Sequence, residues 1–329
     1  MTQLNKEQSK MISRRTFCRS AIATAAAIHL AGPFAGASQS KDKVKFYKNL
    51  GHGHIGVKAN QQQALDYAVK YGFAGITPNP GEFEKKSTAE VREWVAAMKD
   101  KGVRYGAGGL PVEFRGDQDR FKSDLSRLPE QAGLLKRLGV ERVATWIMPG
   151  HNDLTYLQHF ELLKTRFGEV AKVLKDYDIR LGLEFVGPRT SRARFRFPFC
   201  CTQIDMMELV NAIGAPNVGL LLDSWHWYTS HGTVDELLRL SNKDIVHVHV
   251  NDAPKGIDVD QQVDNRRALP VTTGVIDMKG FINALVKVGY DGPVECEPFD
   301  QELRKMDSGA ALQKTVDSLN RVWGLMNSE

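Results

Sequence analysis

Short apolar runs of strand length alternate along this chain with amphipathic stretches of helix length. The stretch Gln61–Tyr71 places its apolar residues on one face, as expected for a helix that packs against a sheet. The run Gly219–Leu222 is continuously apolar, which is typical of a strand buried on both faces of a parallel sheet. Eight such pairs are predicted, with strands Val44–Leu50, Phe73–Thr77, Val103–Ala107, Val140–Ile147, Ile179–Phe185, Val218–Leu222, Ile245–Val250 and Pro293–Glu297, and helices Gln61–Tyr71, Thr88–Lys101, Gln118–Leu138, Leu154–Tyr177, Gln203–Ile213, Val234–Leu240, Met278–Val288 and Ala310–Leu325.

Strands that alternate with helices predict a parallel sheet with right-handed crossovers. Eight units in about 290 residues favour an α/β fold of the (β/α)8 TIM barrel type, in a single domain, over an open doubly wound sheet. The first strand is followed by Gly51-His52-Gly53-His54-Ile55-Gly56, which lacks the glycine spacing of a dinucleotide-binding turn. A Rossmann domain is therefore not expected.

Two predicted loops, Val186–Thr202 and Asn251–Asp277, are much longer than the usual connection. Both follow strands that end in polar residues, on the face where barrel active sites form. We therefore interpret them as lids over a pocket. The first loop also contains four arginines that could grip an anionic substituent or could simply be solvated: Arg189, Arg192, Arg194 and Arg196.

The first 37 residues have the pattern of a twin-arginine signal peptide. Ser13–Phe17 contains the arginine pair, Ala21–Ala31 is weakly apolar, and Ala35–Ala37 supplies a small-residue cleavage site. The apolar run is too short to span a bilayer, so no stable membrane insertion is expected. The sequence thus predicts an exported, periplasmic protein whose barrel occupies residues 38–329.

Charge and cysteine content narrow the functional classes. The leader carries five basic residues and one acidic residue, so its removal lowers the formal net charge from +5 to +1. A nearly neutral mature chain gives little reason to expect a nucleic-acid partner. Three cysteines remain after the leader, and no disulfide framework is evident: Cys200, Cys201 and Cys296.

Four polar residues occupy the carboxyl ends of four successive predicted strands: Glu184, Asp223, His249 and Glu297. Side chains alternate along a strand, and in each case the neighbouring apolar residues face the helices, so these four converge at the barrel mouth. Three carboxylates and one imidazole in one place need a cation. Oxygen-rich donors with a single nitrogen favour one divalent ion, with Mn²⁺ preferred and Mg²⁺, Co²⁺ or Zn²⁺ as alternatives.

Four short strings resemble the xylose-isomerase-like barrel superfamily, and within it the sugar phosphate isomerase/epimerase group that includes ketose 3-epimerases and inosose dehydratases. The strings are Gly-Leu-Glu-Phe (182–185), Asp-Ser-Trp-His (223–226), His-Val-His-Val-Asn-Asp (247–252) and Glu-Cys-Glu-Pro-Phe (295–299). The resemblance implies that the four strand-end residues bind the metal, that Glu184 and Glu297 also act as an acid/base pair, and that His226 holds a substrate hydroxyl.

The chain departs from that family pattern where the substrate is expected. The epimerases carry an arginine six residues after the metal-binding histidine, a position held here by Lys255, while Arg267 lies further along the same loop. Lys255 and Arg267 are therefore both candidates for substrate binding. Two further candidates are His54, which follows the first strand, and Trp146, whose ring could stack on a sugar or pack in the core.

These residues predict a metal-dependent isomerase or epimerase that acts through an enediolate on a carbohydrate, with homo-oligomerisation left open. A lyase that uses the same metal and glutamates, such as a keto-cyclitol dehydratase or a 3-keto-glycoside-cleaving enzyme, is the nearest alternative. DNA-repair hydrolases of the superfamily are disfavoured because the histidines that they need on early strands are missing from 77–80 and 107–111. A non-catalytic sugar-binding protein is disfavoured because both glutamates are present.

Overall fold

The computed structural model describes residues 44–326. Its strands are β1 Tyr47–Leu50, β2 Gly75–Ile76, β3 Arg104–Tyr105, β4 Ala107–Gly109, β5 Arg142–Trp146, β6 Gly150–His151, β7 Arg180–Glu184, β8 Phe197–Pro198, β9 Val218–Asp223, β10 Ile245–Val250 and β11 Pro293–Cys296. Its α-helices are α1 Gln61–Tyr71, α2 Thr88–Asp100, α3 Gln118–Leu138, α4 Tyr156–Lys175, α5 Arg189–Arg192, α6 Gln203–Ile213, α7 Ser224–Thr229, α8 Val234–Leu237, α9 Met278–Lys287, α10 Gln301–Lys305 and α11 Ser308–Gly324.

Nine strand segments form one parallel sheet in the order β3-β2-β1-β11-β10-β9-β7-β5-β4. The two end segments, β3 and β4, follow one another in the chain and are separated only by Gly106, so the sheet closes on itself as an eight-stranded barrel. A Cβ on Gly106 would lie 2.5 Å from Oδ1 of Asn49, which crosses the interior from β1. The prediction of a (β/α)8 TIM barrel is confirmed, although the third strand is interrupted where one unbroken strand was expected.

At the starts of helices, capping side chains accept hydrogen bonds from backbone amides of the first turn that have no partner within the helix. Asn60 caps α1 by accepting a hydrogen bond from the amide of Gln63, whose side chain bonds back to Asn60, and Gly72 ends the helix in the left-handed conformation with φ 74°. Beneath the helices, outward-facing strand residues such as Leu181 and Leu183 are fully buried. Each such leucine contributes about 1.5 to 3 kcal/mol through burial of apolar surface.

The segment after β9 differs most from expectation. The predicted helix Val234–Leu240 is only the short α8, and a helix that was not predicted, α7, begins directly after Asp223. Asp223 accepts a hydrogen bond from the amide of Trp225 and so caps α7. Trp225 and Trp227 are both buried in the core.

The two long loops are fastened to the barrel and to each other. In the first loop, β8 pairs with β6 in a two-stranded antiparallel ribbon. Arg189 forms an ion pair with Asp260 of the second loop at 3.1 Å, and Thr190 donates a hydrogen bond to the carbonyl of Gln262 at 2.7 Å. The buried Asp252 carboxylate accepts hydrogen bonds from four consecutive amides, those of residues 273–276.

The predicted signal peptide, residues 1–37, lies outside the described residues and stays a prediction. Within residues 44–326, no helix is both long enough and apolar enough to cross a membrane. Cys200, Cys201 and Cys296 are buried free thiols. Burial raises the pKa of the Cys201 thiol to about 11, so this thiol is protonated near neutral pH.

Candidate active site

The four strand-end residues meet at one point of the barrel mouth. Glu184 ends β7, Asp223 ends β9, His249 lies near the end of β10, and Glu297 directly follows β11. Nδ1 of His249 lies 3.7 Å from Oε1 of Glu184, 3.9 Å from Oδ2 of Asp223 and 3.4 Å from Oε2 of Glu297. One donor atom from each of the four residues falls within 4.8 Å of all the others. The convergence expected from period-two alternation is therefore present.

The donor atoms fit a divalent metal ion. Oε1 of Glu184 and Nδ1 of His249 are buried and have no hydrogen-bond partner among the described residues. Buried polar atoms normally have such partners, and a cation would satisfy these two. Metal bonds of about 2.1 Å separate neighbouring ligand atoms by roughly 3 to 3.5 Å, close to the spacing around His249. Three carboxylates and one imidazole are suitable ligands for a divalent ion, whose identity the geometry does not specify.

Arg267 balances part of the negative charge of this cluster. Its guanidinium Nη1 lies 2.7 Å from Oδ2 of Asp223 and 2.9 Å from Oε2 of Glu297, and Nη2 lies 2.8 Å from Oδ1 of Asp264. Burial alone would lower the pKa of Arg267, but Asp223, Glu297 and Asp264 outweigh burial and raise it. Phe299 covers the guanidinium, with its ring centroid at 4.6 Å. The structure therefore places this candidate substrate residue against two of the candidate metal ligands.

The two candidate catalytic glutamates have opposite electrostatic surroundings. Burial raises the pKa of Glu184 above its usual value, despite the opposing influence of His249 and His226. Burial would also raise the pKa of Glu297, but His249 and Arg267 outweigh it and hold that pKa well below the usual range. Burial lowers the pKa of His249, but Glu297 and Glu184 together raise it well above its usual value. Opposite carboxylate environments on one cavity are typical of an acid/base pair.

His226 presents one ring nitrogen to the site. Its Nδ1 accepts a hydrogen bond from the amide of Gly187 at 3.2 Å, and its Nε2 lies 3.3 Å from Nη2 of Arg267, a group that can only donate. Nε2 lies 3.9 Å from both Oε1 of Glu184 and Oδ1 of Asp264. A Cβ on Gly187 would lie 2.3 Å from the His226 carbonyl oxygen, so only glycine allows this approach. His226 is thus held with Nε2 beside Glu184, where it could hydrogen-bond a substrate hydroxyl.

A cavity of about 310 Å³ opens above these residues, and we call it the catalytic cavity. Both long loops contribute to its wall, the first through Ser191 and Arg194 and the second through Asp264 and Arg267. Of the four loop arginines, Arg194 alone is among the lining residues. The full set comprises Trp146, Met148, Pro149, Glu184, Val186, Ser191, Arg194, His226, Asp264, Arg267, Glu297 and Phe299.

The three remaining candidate substrate residues differ in how close they lie to the cluster of strand-end residues. Trp146 is 45% exposed at the wall of the catalytic cavity, with the Arg115 guanidinium 4.4 Å from its ring. Lys255 is exposed in a turn and does not line the cavity, so the structure does not bring it to the other site residues. His54 lies beneath the mouth, with Nδ1 2.8 Å from Oε1 of Glu295 and Nε2 3.6 Å from Oε1 of Glu297.

Glu295 belongs to a buried polar layer that the sequence analysis missed. Its carboxylate accepts hydrogen bonds from the side chains of Asn49 and Thr77, and its Oε1 lies 2.8 Å from Nδ1 of His54. Burial would raise the pKa of Glu295, but the contact with His54 outweighs it and lowers the pKa to about 2. A Cβ on Gly51 would lie only 1.6 Å from the Glu295 carboxylate, so glycine leaves room for it. Its partners Asn49 on β1 and Thr77 after β2 are distant from it in sequence.

The chain belongs to the xylose isomerase-like TIM barrel family, whose model matches residues 65–322. A solved relative, a xylose isomerase domain protein from Alicyclobacillus acidocaldarius, is 29% identical and superposes with a TM-score of 0.74 over 83% of this chain and 97% of its own. The IolI protein, solved with a bound zinc atom, is 20% identical with a TM-score of 0.72 over 87% of this chain and all of its own, and shows the shared fold.

The curated relatives are enzymes of more than one type. An inosose isomerase of Bacillus velezensis is 24% identical over 80% of this chain and 92% of its own length. An L-ribulose 3-epimerase of Mesorhizobium japonicum is 24% identical over 68% of this chain and 71% of its own. A 3-dehydroshikimate dehydratase of Pseudomonas putida is 26% identical over 76% of this chain but only 38% of its own length. The resemblance to this group of enzymes is confirmed, while the reaction type is not fixed at these identities.

Proposed function

We propose that this protein is a metal-dependent isomerase or epimerase that acts through an enediolate on a ketose or keto-sugar derivative. The observation that carries the proposal is the placement of Glu184 and Glu297. They lie on β7 and after β11, with β9 and β10 between them, and an oxygen of each approaches the same nitrogen of His249, at 3.7 Å and 3.4 Å. Two carboxylates on opposite sides of one site can address opposite faces of one substrate carbon.

The proposed chemistry moves a proton between those faces. A bound divalent ion supplies Lewis-acid polarisation of the substrate carbonyl. Glu297 removes the proton from the carbon next to the carbonyl, and the electron pair of that C–H bond becomes part of the enediolate. Glu184, in its protonated form, returns a proton to the same carbon from the other side. Nε2 of His226 forms a hydrogen bond with a substrate hydroxyl and so fixes the position of the substrate.

The donor set and the relatives support the details. Three carboxylates with one imidazole favour Mn²⁺, with Mg²⁺, Co²⁺ and Zn²⁺ as alternatives. An isomerase and an epimerase of sugar-like substrates among the relatives support a carbohydrate substrate. The dehydratase relative favours one alternative, a lyase in which the same enediolate expels a neighbouring oxygen substituent and leaves a double bond.

Hydrogen–deuterium exchange tests this proposal. The Mn²⁺-loaded protein is incubated in D₂O with ketoses, keto-cyclitols and 3-keto-glycosides, and proton NMR is recorded after the protein and metal have been removed. Deuterium next to the carbonyl together with a new stereoisomer is the expected result. Deuterium with loss of water or an alcohol would establish the lyase, and no exchange on any substrate would contradict both.

Two matched variants locate the proton transfer. Glu297→Gln keeps the size of the side chain but cannot accept the proton, so exchange should fall by roughly 100- to 10,000-fold. Glu302→Gln makes the same chemical change at an exposed position on α10 and should leave exchange unaltered. Full activity of Glu297→Gln would remove Glu297 from the mechanism.

We also propose that the protein is exported through the twin-arginine pathway. The support is the leader sequence, with Arg14 and Arg15 followed by an apolar stretch. Replacing both arginines with lysine should retain the protein in the cytoplasm on cell fractionation. Unchanged export of that double variant would contradict the proposal.

A further inference from the structure

A second cavity adjoins the catalytic cavity on the side of the fourth barrel unit, and we call it the outer cavity. Its volume is also about 310 Å³, and Met148 lines both cavities. Each volume is at the lower end of the range found for small-molecule sites. Trp146 lines the catalytic cavity, and Arg115, stacked on its ring, lines the outer one. A partly exposed tryptophan and its arginine partner therefore bridge the two spaces.

The wall of the outer cavity combines aromatic faces with hydrogen-bonding edges. Phe114 and Phe195 contribute rings, while His151, Asn152 and His159 contribute polar atoms. A sugar ring has the matching character, since its C–H faces are apolar and its rim carries hydroxyl groups. Sites for small ligands commonly pair apolar surface with a few placed polar groups in this way.

His159 supplies an independent sign of a polar ligand. Its side chain lines the outer cavity and is 7% exposed, and its buried Nδ1 has no hydrogen-bond partner among the described residues. Burial, together with the neighbouring His151, lowers the pKa of His159 to about 4, so the imidazole is neutral at physiological pH. A neutral imidazole can both donate and accept, as recognition of a hydroxyl group requires.

The part of the first loop that covers the outer cavity is held by specific contacts. Phe195 lies against Gly150, where a Cβ would be 2.4 Å from the Phe195 Cβ, so glycine is needed for this contact. The amide of Arg196 donates a hydrogen bond to Oδ1 of Asn152 at 3.1 Å, directly beside the pairing of β6 with β8. The first loop is thus fixed over the outer cavity by main-chain contacts.

We propose that the outer cavity is a subsite for a second sugar ring, so that the substrate is a glycoside or disaccharide whose reacting ring occupies the catalytic cavity. The inference rests on the proposed function, because the reacting ring is placed by that site. The second ring lies against Phe195, and the neutral imidazole of His159 hydrogen-bonds one of its hydroxyls.

The test compares D-fructose with lactulose, maltulose and isomaltulose, which are D-fructose units that carry a second pyranose ring. Three variants are used. Leu162→Trp places an indole in the outer cavity from α4, and Phe195→Ala removes the ring on the opposite wall. Leu157→Trp is the control, since Leu157 is 73% exposed on the same helix and lines neither cavity.

In the wild type, at least one of the disaccharides should be exchanged with kcat/KM at least tenfold above that of D-fructose. Leu162→Trp and Phe195→Ala should each lower that ratio at least tenfold and leave the value for D-fructose within twofold, and Leu157→Trp should change neither. Equal values for D-fructose and all three disaccharides in the wild type, or equal losses on both substrate types in Leu162→Trp and Phe195→Ala, would overturn the subsite.

A binding measurement distinguishes failure of the proposed subsite from failure of the proposed reaction. Saturation-transfer NMR on the Mg²⁺-loaded protein detects ligand contact without turnover. If no sugar is exchanged but a disaccharide contacts the wild type and not Leu162→Trp, the reaction is wrong and the subsite stands. If D-fructose is exchanged and no disaccharide shows contact through its second ring, the subsite is refuted and the reaction stands.

Discussion

Removal of the Arg267 guanidinium should have opposite effects on folding and on metal affinity. The guanidinium contacts one oxygen of Asp223 and one of Glu297, and the same two oxygens lie within 4 Å of Nδ1 of His249, the candidate metal-binding nitrogen. Arginine and a bound metal ion would therefore share these carboxylates. In Arg267→Met a side chain of similar length remains, but the cationic partner is lost.

The expected magnitude follows from the burial of the group. Breaking a buried ion pair on one side costs about 3 to 5 kcal/mol of unfolding free energy, because the remaining charges stay desolvated and unpaired. The metal-free variant should lose about that much stability. A metal ion then relieves the carboxylates, so metal affinity should increase by roughly tenfold to a thousandfold, at about 1.4 kcal/mol for each factor of ten.

The assay combines denaturant unfolding of the metal-free protein with chelator competition for Mn²⁺. Arg267→Lys should retain most of the stability because it keeps the charge, and Arg239→Met should match the wild type because Arg239 is exposed and forms no ion pair within the described part of the chain. The reasoning is refuted if Arg267→Met unfolds like the wild type without metal, or if it binds Mn²⁺ more weakly.

Three further predictions follow from other contacts. Gly150→Ala should raise KM several-fold with little loss of stability, because the new Cβ would collide with Phe195 and displace the first long loop. Steady-state kinetics would measure the change, and an unchanged KM would contradict the prediction. The pKa of His159 is about 4 in the folded protein against 6.5 ordinarily, so the unfolded chain binds the extra proton and stability should fall by up to about 3 kcal/mol from pH 6.5 to pH 4. His159→Phe should flatten that slope in unfolding experiments, and an identical slope would exclude His159 as its source. Asp252→Ala should lower the unfolding free energy by about 3 kcal/mol or more, since four amides lose their charged acceptor, and a change below 1 kcal/mol would contradict this.

Much of the architecture was predictable because it is encoded in local periodicity. Alternation within each strand was enough to aim Glu184 and His249 into the barrel, and parallel strands bring such ends to one edge. The break in the third strand was not predictable from alternation; it falls at Gly106, where a Cβ would lie 2.5 Å from Oδ1 of Asn49, on a strand almost sixty residues earlier. The layer of Asn49, Thr77 and Glu295 is likewise a tertiary contact without a sequence pattern.

The position of Arg267 illustrates the same limit within the site. Its sequence suggested a substrate contact, since it lies in the loop after the histidine strand. Its place against Asp223 depends on the path of residues 251–277, which no periodicity describes. That path is set partly by Asp252, whose carboxylate gathers four amides, and partly by Val271, a β-branched residue at φ 59° where glycine would be usual. The path of this loop could therefore be read only from the three-dimensional structure.

The link between the two long loops has a consequence for redesign of this protein. Arg189 of the first loop pairs with Asp260 of the second, and Thr190 pairs with Gln262. The sequences of the two loops therefore depend on each other. A chimaera that imports one loop from a relative would replace half of each contact and leave the other half without its partner. Exchange of both loops together preserves the contacts and leaves the candidate metal ligands on the barrel unchanged. New specificities are therefore more accessible by paired transplantation than by stepwise substitution in either loop.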